Sequence, residues 1–298
     1  GIFLQRSSIP EYVGITTKTY VNIGRMRNSG WDSSLQYDQK IGQVNFSAMG
    51  NFTFARNVIE DQDQPDYIEK YMNRTGQARW QTFGYVSDGL FKDEADIATS
   101  PDQSALGEVR PGDIKYKDLN NDGVIDSKDV KAIGYTDVPE IVYGFGVSAQ
   151  WKGFDVSVFF QGNAHVSFSI NSSMVRGFTE PKMAANNVFS DIYGNYWTES
   201  NTDAKYPRLT TTEATNNNQS SDFWLVNGRY IRLKNAEFGY TFPKRLIQKM
   251  RLSQLRVFVS GTNLLTFAPF KLWDPDLQTG ASNYPNTRVA NIGLNIGF

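Results

Sequence analysis

Between Ile141 and Trp151 the chain alternates with a period of two. Ile141, Tyr143, Phe145, Val147, Ala149 and Trp151 form one set, and Val142, Gly144, Gly146, Ser148 and Gln150 lie between them. Successive side chains of a strand point to opposite faces, so this pattern predicts a strand with one apolar face. After Lys152-Gly153 the pattern resumes, with Phe154, Val156, Val158 and Phe160 against Asp155, Ser157, Phe159 and Gln161. Two such runs joined by a glycine-containing turn predict a hairpin. Further alternating runs cover Trp31 to Tyr37, Val44 to Phe54, Leu255 to Val259 and Ile292 to Phe298. From Tyr230 to Phe242 the lower half alternates, with Ala236, Phe238, Tyr240 and Phe242 on the apolar side, but Arg232 and Lys234 fall on that same side. A bulge, or emergence from a bilayer, accounts for the exception.

The fold class this predicts is all-β and antiparallel. No apolar run approaches the ~20 residues of a spanning helix, and the runs match the ~9–11 residues of a tilted membrane-crossing strand. The polar faces carry Gly, Ser, Asn and Gln instead of the charges of a soluble edge. Connections alternate in length: short near 38–41, 152–153 and 243–251, long near 58–140 and 164–228, intermediate near 266–287. Tight turns at one end and large extracellular loops at the other are the pattern of a transmembrane β-barrel. Trp31, Tyr37, Trp151, Tyr240 and Phe242 fit interface belts, and Phe298 ends the last strand on its apolar face.

Composition narrows the function. With 30 Lys+Arg against 31 Asp+Glu, no basic stripe for nucleic acid is present. Cysteine is absent and His165 is the one histidine, which removes disulfide scaffolds, thiolate zinc and most histidine chemistry. No pair of carboxylates and no activated nucleophile stands out, so the chain is read as a non-enzyme.

One stretch carries identifiable chemistry. Asp118, Asn120, Asp122, Asp126 and Asp129 place oxygens at positions 1, 3, 5, 9 and 12 of a twelve-residue loop; Gly123 stands at its sharp turn and Val124 offers a carbonyl. Ca²⁺ takes six to eight such oxygens. Asp129 replaces the usual long Glu, and the expected role is a structural cation pinning a long loop. The competing reading is an Asp/Asn/Gly-rich turn closed by its own hydrogen bonds.

The order of motifs is also specific. Gly112-Asp113-Ile114-Lys115-Tyr116-Lys117-Asp118 runs into Asn120-Asn121-Asp122-Gly123-Val124-Ile125-Asp126; Tyr143-Gly144-Phe145-Gly146 and Trp151-Lys152-Gly153-Phe154-Asp155 follow. Ser87-Asp88-Gly89-Leu90-Phe91, Tyr230-Ile231-Arg232-Leu233-Lys234-Asn235 and Gly261-Thr262-Asn263-Leu264 keep the same order. This arrangement resembles the SusC/RagA-like branch of TonB-dependent outer-membrane transporters over nearly the whole chain. The resemblance implies a 22-stranded plugged barrel in the outer membrane of a Gram-negative bacterium, a SusD-like surface lipoprotein, energy from the TonB complex, and import of glycans or peptides. It leads to an expectation that residues 1–298 are the C-terminal portion of such a barrel, about its last eight strands, the first being Gly1 to Gln5. The plug, the TonB box and the N-terminal strands would belong to the remainder of the same transporter. The alternative is a soluble calcium-dependent carbohydrate-binding β module. Candidate substrate contacts are Trp80, Tyr85, Trp197 and Trp224, aromatics of the two long connections that can stack on sugars or grip peptides.

Overall fold

The computed structural model describes residues 2–5, 14, 20–172, 175–176, 178, 188–280 and 283–298. Gly1, the first residue of the expected first strand, lies outside them. One antiparallel sheet carries eight strands: β1 (Ile2–Gln5), β2 (Tyr20–Ile41), β3 (Val44–Asp61), β4 (Ile141–Trp151), β5 (Phe154–Ala164), β6 (Tyr230–Thr241), β7 (Gln254–Phe267) and β8 (Val289–Gly297). They neighbour one another in chain order. The expected all-β, antiparallel architecture is thus what the chain adopts, and among the described residues no helix is long and apolar enough to cross a membrane.

The alternation read from the sequence becomes a continuous surface because the register aligns it. Val147 lies opposite Val158, Val158 opposite Ala236, Val156 opposite Phe238, Phe238 opposite Val259, and Val259 opposite Ile292. A second row runs from Trp151 through Phe154 and Tyr240 to Val257 and Leu294. These residues are not covered by a second layer: Val147 is 44% exposed, Val156 44%, Phe238 50% and Leu294 56%. Apolar side chains at this exposure in water forgo about 25 cal/mol for every Å² left unburied, so the surface calls for a nonaqueous neighbour. The opposite face is mostly glycine and polar residues, with Ser47, Ser148 and Ser157 in one row and Phe159 and Phe258 among its few aromatics.

The strands pass the predicted ends where the chain stays extended in spite of polar residues. β2 runs on to Ile41, so Asp38 to Lys40, expected as a turn, are strand, and the connection is the two residues at 42–43. The turn at 152–153 stands where expected: Lys152 and Gly153 have φ of 47° and 90°, the left-handed pair that matches strand twist in a two-residue hairpin.

The anomaly in β6 is a bulge. Its pairing shifts between Leu233 and Asn235 against both neighbours, and Lys234 has no cross-strand partner. The extra residue inverts the alternation above it. Leu233 therefore pairs with Phe160 and Leu265 on the apolar face, while Arg232 joins Gln161 and Thr266 on the polar one.

The chain divides into two compact units. One comprises Gly30–Ala55, Val138–Val166 and Gly228–Phe298; the other comprises Gly1–Ser29, Arg56–Asp137 and Ser167–Asn227. The first holds most of the sheet just described. The second folds the two long connections into a small core, in which Phe91, Ile114, Tyr116, Ile125, Phe168, Ile192 and Trp224 are nearly inaccessible. Short pairs, Ser87–Leu90 with Ile114–Tyr116 and Ser167–Ser169 with Leu225–Asn227, frame it.

Candidate transport surface

On the polar face of the sheet two arginines are held by carboxylates. Arg256 of β7 reaches Asp155 of β5 through Nε–Oδ1 at 3.1 Å and Nη2–Oδ2 at 2.5 Å, and its Nη2 also donates to Glu237 Oε1 at 2.6 Å. The reach spans an intervening strand. It is possible because β6 presents Gly239 there: a Cβ at that position would lie 2.5 Å from Arg256 Nη2 and 2.7 Å from Asp155 Oδ2. Arg232, turned to this face by the bulge, is 1% exposed. It donates to Thr266 Oγ1 at 3.0 Å, Asp276 Oδ2 at 2.9 Å and Asp274 Oδ1 at 2.5 Å, tying β6 to the connection that follows β7. A planar guanidinium with donors in a fixed fork can serve three acceptors at once.

In the loop unit, a buried polar network joins the two long connections. Asp113, fully buried, accepts from Arg208 Nε at 2.8 Å, Arg208 Nη2 at 3.2 Å, Asn217 Nδ2 at 2.8 Å and Arg110 N at 2.9 Å. Gln103 Nε2 donates to Asn216 Oδ1 at 2.9 Å, and Tyr116 Oη donates to the Asn216 carbonyl at 2.9 Å. Burial pushes the Tyr116 phenol above its ordinary value. Outside the core, Asp96 is held below the usual carboxylate range: burial opposes the shift, but hydrogen bonds from Lys115 and the Lys92 amide outweigh it.

The aromatic candidates separate. Trp224 is 2% exposed, and its indole Nε1 donates to the Asn217 carbonyl at 2.7 Å. Tyr85 is 7% exposed and packs 5.1 Å from the Tyr116 ring. Both are spent on the loop core and leave no face for a ligand. Trp197 is half-buried against Gly112. Trp80 is 62% exposed, with the Arg79 guanidinium 4.7 Å over its ring. Of the four, Trp224 lines a small pocket of about 30 Å³ beside Ile192, Tyr206 and Leu209, room for water and not for a sugar.

The acidic turn closes on itself. Asp118 accepts from the Asn121 and Gly123 amides at 2.6 and 2.7 Å, and Asp129 from the Leu119 and Asp126 amides at 2.7 and 2.9 Å. Asn120 Oδ1 accepts from the Asp122 amide at 3.1 Å, and Asp122 Oδ1 from the Val124 amide at 3.0 Å. The Lys128 ammonium lies 3.1 Å from Asp122 and 3.3 Å from Asp126. Among the described residues no group of three acidic or histidine side chains is drawn together for a metal. As placed, protein donors and a lysine hold the oxygens, and Asp129 is turned to backbone amides and fully buried. His165 at the end of β5 meets Glu140, with Nδ1 3.1 Å from Oε2.

The sequence marks Arg232 only as an exception to the alternation, without its partners, and does not mark the Arg256 and Asp113 centres. Each joins segments distant along the chain, and alternation gives the face of a residue but not its cross-strand register. The available signals are Arg256 and Asp155 at polar-face positions of alternating strands and Arg232 as the exception to the alternation of its strand; Asp113, in a loop, has none.

A registered antiparallel sheet with an exposed apolar face and a polar, charge-paired back is a stretch of β-barrel wall. The likeness read from the motifs is borne out by three curated relatives from Formosa agariphila. TonB-dependent receptor P3 is 28% identical over 97% of this chain, and TonB-dependent receptor P26 is 26% identical over 98%. TonB-dependent receptor P39 is 23% identical over 97%. The chain spans about a third of these relatives, 30%, 31% and 32% of their lengths. The fold is shared with the RagAB peptide importer in its open-open state, with a TM-score of 0.71 at 21% identity over 100% of this chain and 31% of that one. A second RagAB peptide transporter structure gives 0.68 at 23% identity, over 97% and 31% respectively. No protein-family model matches the chain.

Proposed function

We infer that this chain forms C-terminal wall strands and surface loops of a TonB-dependent outer-membrane transporter that imports a nutrient. The observation carrying the reading is the exposed apolar face, continuous in register from β4 to β8, set against a polar back. Lipid is the environment in which such a face is stable, and an enclosed polar lumen is the one that suits the back. The remainder of the barrel, its plug and its TonB contact would lie in the rest of the transporter. A SusD-like lipoprotein is the proposed surface partner, and exposed Trp80 with Ile68, 93% exposed, gives the loop unit apolar points for it. The relatives are named as receptors and importers, which supports transport over catalysis. The test is uptake by cells carrying the intact transporter, with and without a functional TonB, together with the proteins that co-purify with it. Uptake unaffected by loss of TonB, or a protein that stays monodisperse without detergent, refutes the reading.

Calcium at the 118–129 turn is a separate proposal, supported by the spacing of Asp118, Asn120, Asp122 and Asp126. An ion there must displace Lys128 from Asp122 and Asp126. Lys128→Gln is therefore expected to bind calcium more tightly than the parent by calorimetry. No heat in either protein removes the ion from the account.

A further inference from the structure

The structure assigns a carboxylate-binding site to the connection between β7 and β8, at the end of the sheet where Arg232 and Thr266 lie on the polar face. A cavity of about 280 Å³ opens there, lined by Arg232, Asn263, Thr266, Trp273, Lys271 and Arg288 among others. Its size is close to the lower end of small-molecule sites.

Three observations set the chemistry. First, Asp274 and Asp276 are already committed to the buried Arg232. Second, Lys271 and Arg288 are exposed and make no ion pair among the described residues, so with Arg232 the cations at the cavity outnumber the carboxylates Asp274 and Asp276 and its balance is positive. A guanidinium and an ammonium beside one opening fit a carboxylate, which accepts charge-assisted hydrogen bonds from both. Third, Asn263, held at φ 55°, has a buried Oδ1 with no hydrogen-bond partner among the described residues. That acceptor calls for a donor on the ligand, a hydroxyl or an amide N–H. Trp273 adds an aromatic wall. A ligand with a carboxylate close to a hydrogen-bond donor satisfies all three, and two substrate classes supply one: uronic-acid oligosaccharides and acidic peptides.

The inference rests on the import reading and specifies the substrate of that same polar face. It is tested on the purified intact transporter by calorimetry with an oligogalacturonate and an oligoglutamate, each beside a neutral oligosaccharide or peptide of the same length. At least one acidic probe is expected to bind more tightly than its neutral counterpart, and to weaken as salt is raised. K271Q/R288Q, which alters exposed groups only, is expected to reduce that affinity about ten-fold or more while leaving neutral probes unchanged. Whichever acidic probe responds identifies the source of the carboxylate. Binding of neither acidic probe above its neutral counterpart, or equal affinity in the double variant, overturns the inference. TonB-dependent uptake of another substrate in that case leaves the import reading standing, whereas TonB-independent uptake sinks the import reading whatever the probes do.

Discussion

Placing an arginine at Val147 distinguishes a lipid-facing wall from a water-facing sheet. Val147 sits between Ala48 and Val158 on the apolar face and is 44% exposed. Lys152 in the turn lies five positions further along the chain. At about 3.4 Å per residue and a tilt of about 40°, that places it roughly 13 Å above the turn, half the ~25 Å apolar band of a barrel. Arginine at such mid-plane depth costs about 2–4 kcal/mol. A loss of about 3 kcal/mol lowers the folded-to-unfolded ratio roughly 150-fold. Ser148, the next residue, faces the polar side between Ser47 and Ser157, where arginine meets water and the cost is near zero. Trp151, beside the turn, is expected to tolerate arginine at about 0–1 kcal/mol. The assay is urea unfolding of the intact transporter in phospholipid vesicles, followed by tryptophan fluorescence for Val147→Arg and Ser148→Arg and by gel mobility for Trp151→Arg. Equal losses at 147 and 148, or a neutral Val147→Arg, refute the assignment of faces.

Three further outcomes are expected. Arg232→Met removes the partner of Asp274 and Asp276; because those carboxylates are 15% and 32% exposed, the loss is on the order of 2 kcal/mol, less than for a fully buried pair. It is to be read as faster hydrogen exchange through residues 268–278. Asp113→Asn takes the charge from a fully buried acceptor of Arg208 and is expected to destabilise the loop unit by about 3 kcal/mol. Proteolysis of the loops should accelerate while the barrel keeps its heat-modifiable gel mobility. Lowering pH weakens the Asp96–Lys115 tie. The folded-state pKa of Asp96 lies below its ordinary value, so its stabilisation is complete above about pH 4 and is lost as pH falls through the folded value. Asp96→Asn should flatten that part of the loop unit's acid-unfolding profile.

The sheet was legible in the sequence because its information is local. Each strand from β4 onward announces itself by alternation, since one face needs apolar side chains and the other does not. The β4 bounds, Ile141–Trp151, are those the pattern predicted. The turn at 38–40 was misplaced for an instructive reason: polar residues mark a turn only where the chain must leave the sheet, and β2 simply continues through Asp38 to Ile41. The bulge at Lys234 was visible only as a broken rule. Its direction became clear from pairing, which shows that one inserted residue sends Arg232 to the polar face and returns Leu233 to the apolar one. The aromatics of the long connections were the least legible. Composition cannot tell a Trp that builds a loop core, such as Trp224, from one left outside, such as Trp80.

The pairing of charges on the polar face has a consequence for selectivity. Arg256 is shared between Asp155 and Glu237, and Arg232 between Asp274 and Asp276. Each cation is outnumbered by its acids, so both clusters are held rigid with a slight negative excess. A wall of this kind offers an incoming anion little attraction. Against that background Lys271 and Arg288, two cations without an ion pair among the described residues, outweigh the single negative excess of the Arg232 cluster at the same cavity and leave it net positive. The locked clusters shape the wall and the free pair of Lys271 and Arg288 discriminates, a division of labour in which neutralising the free pair alters ligand preference without loosening the sheet.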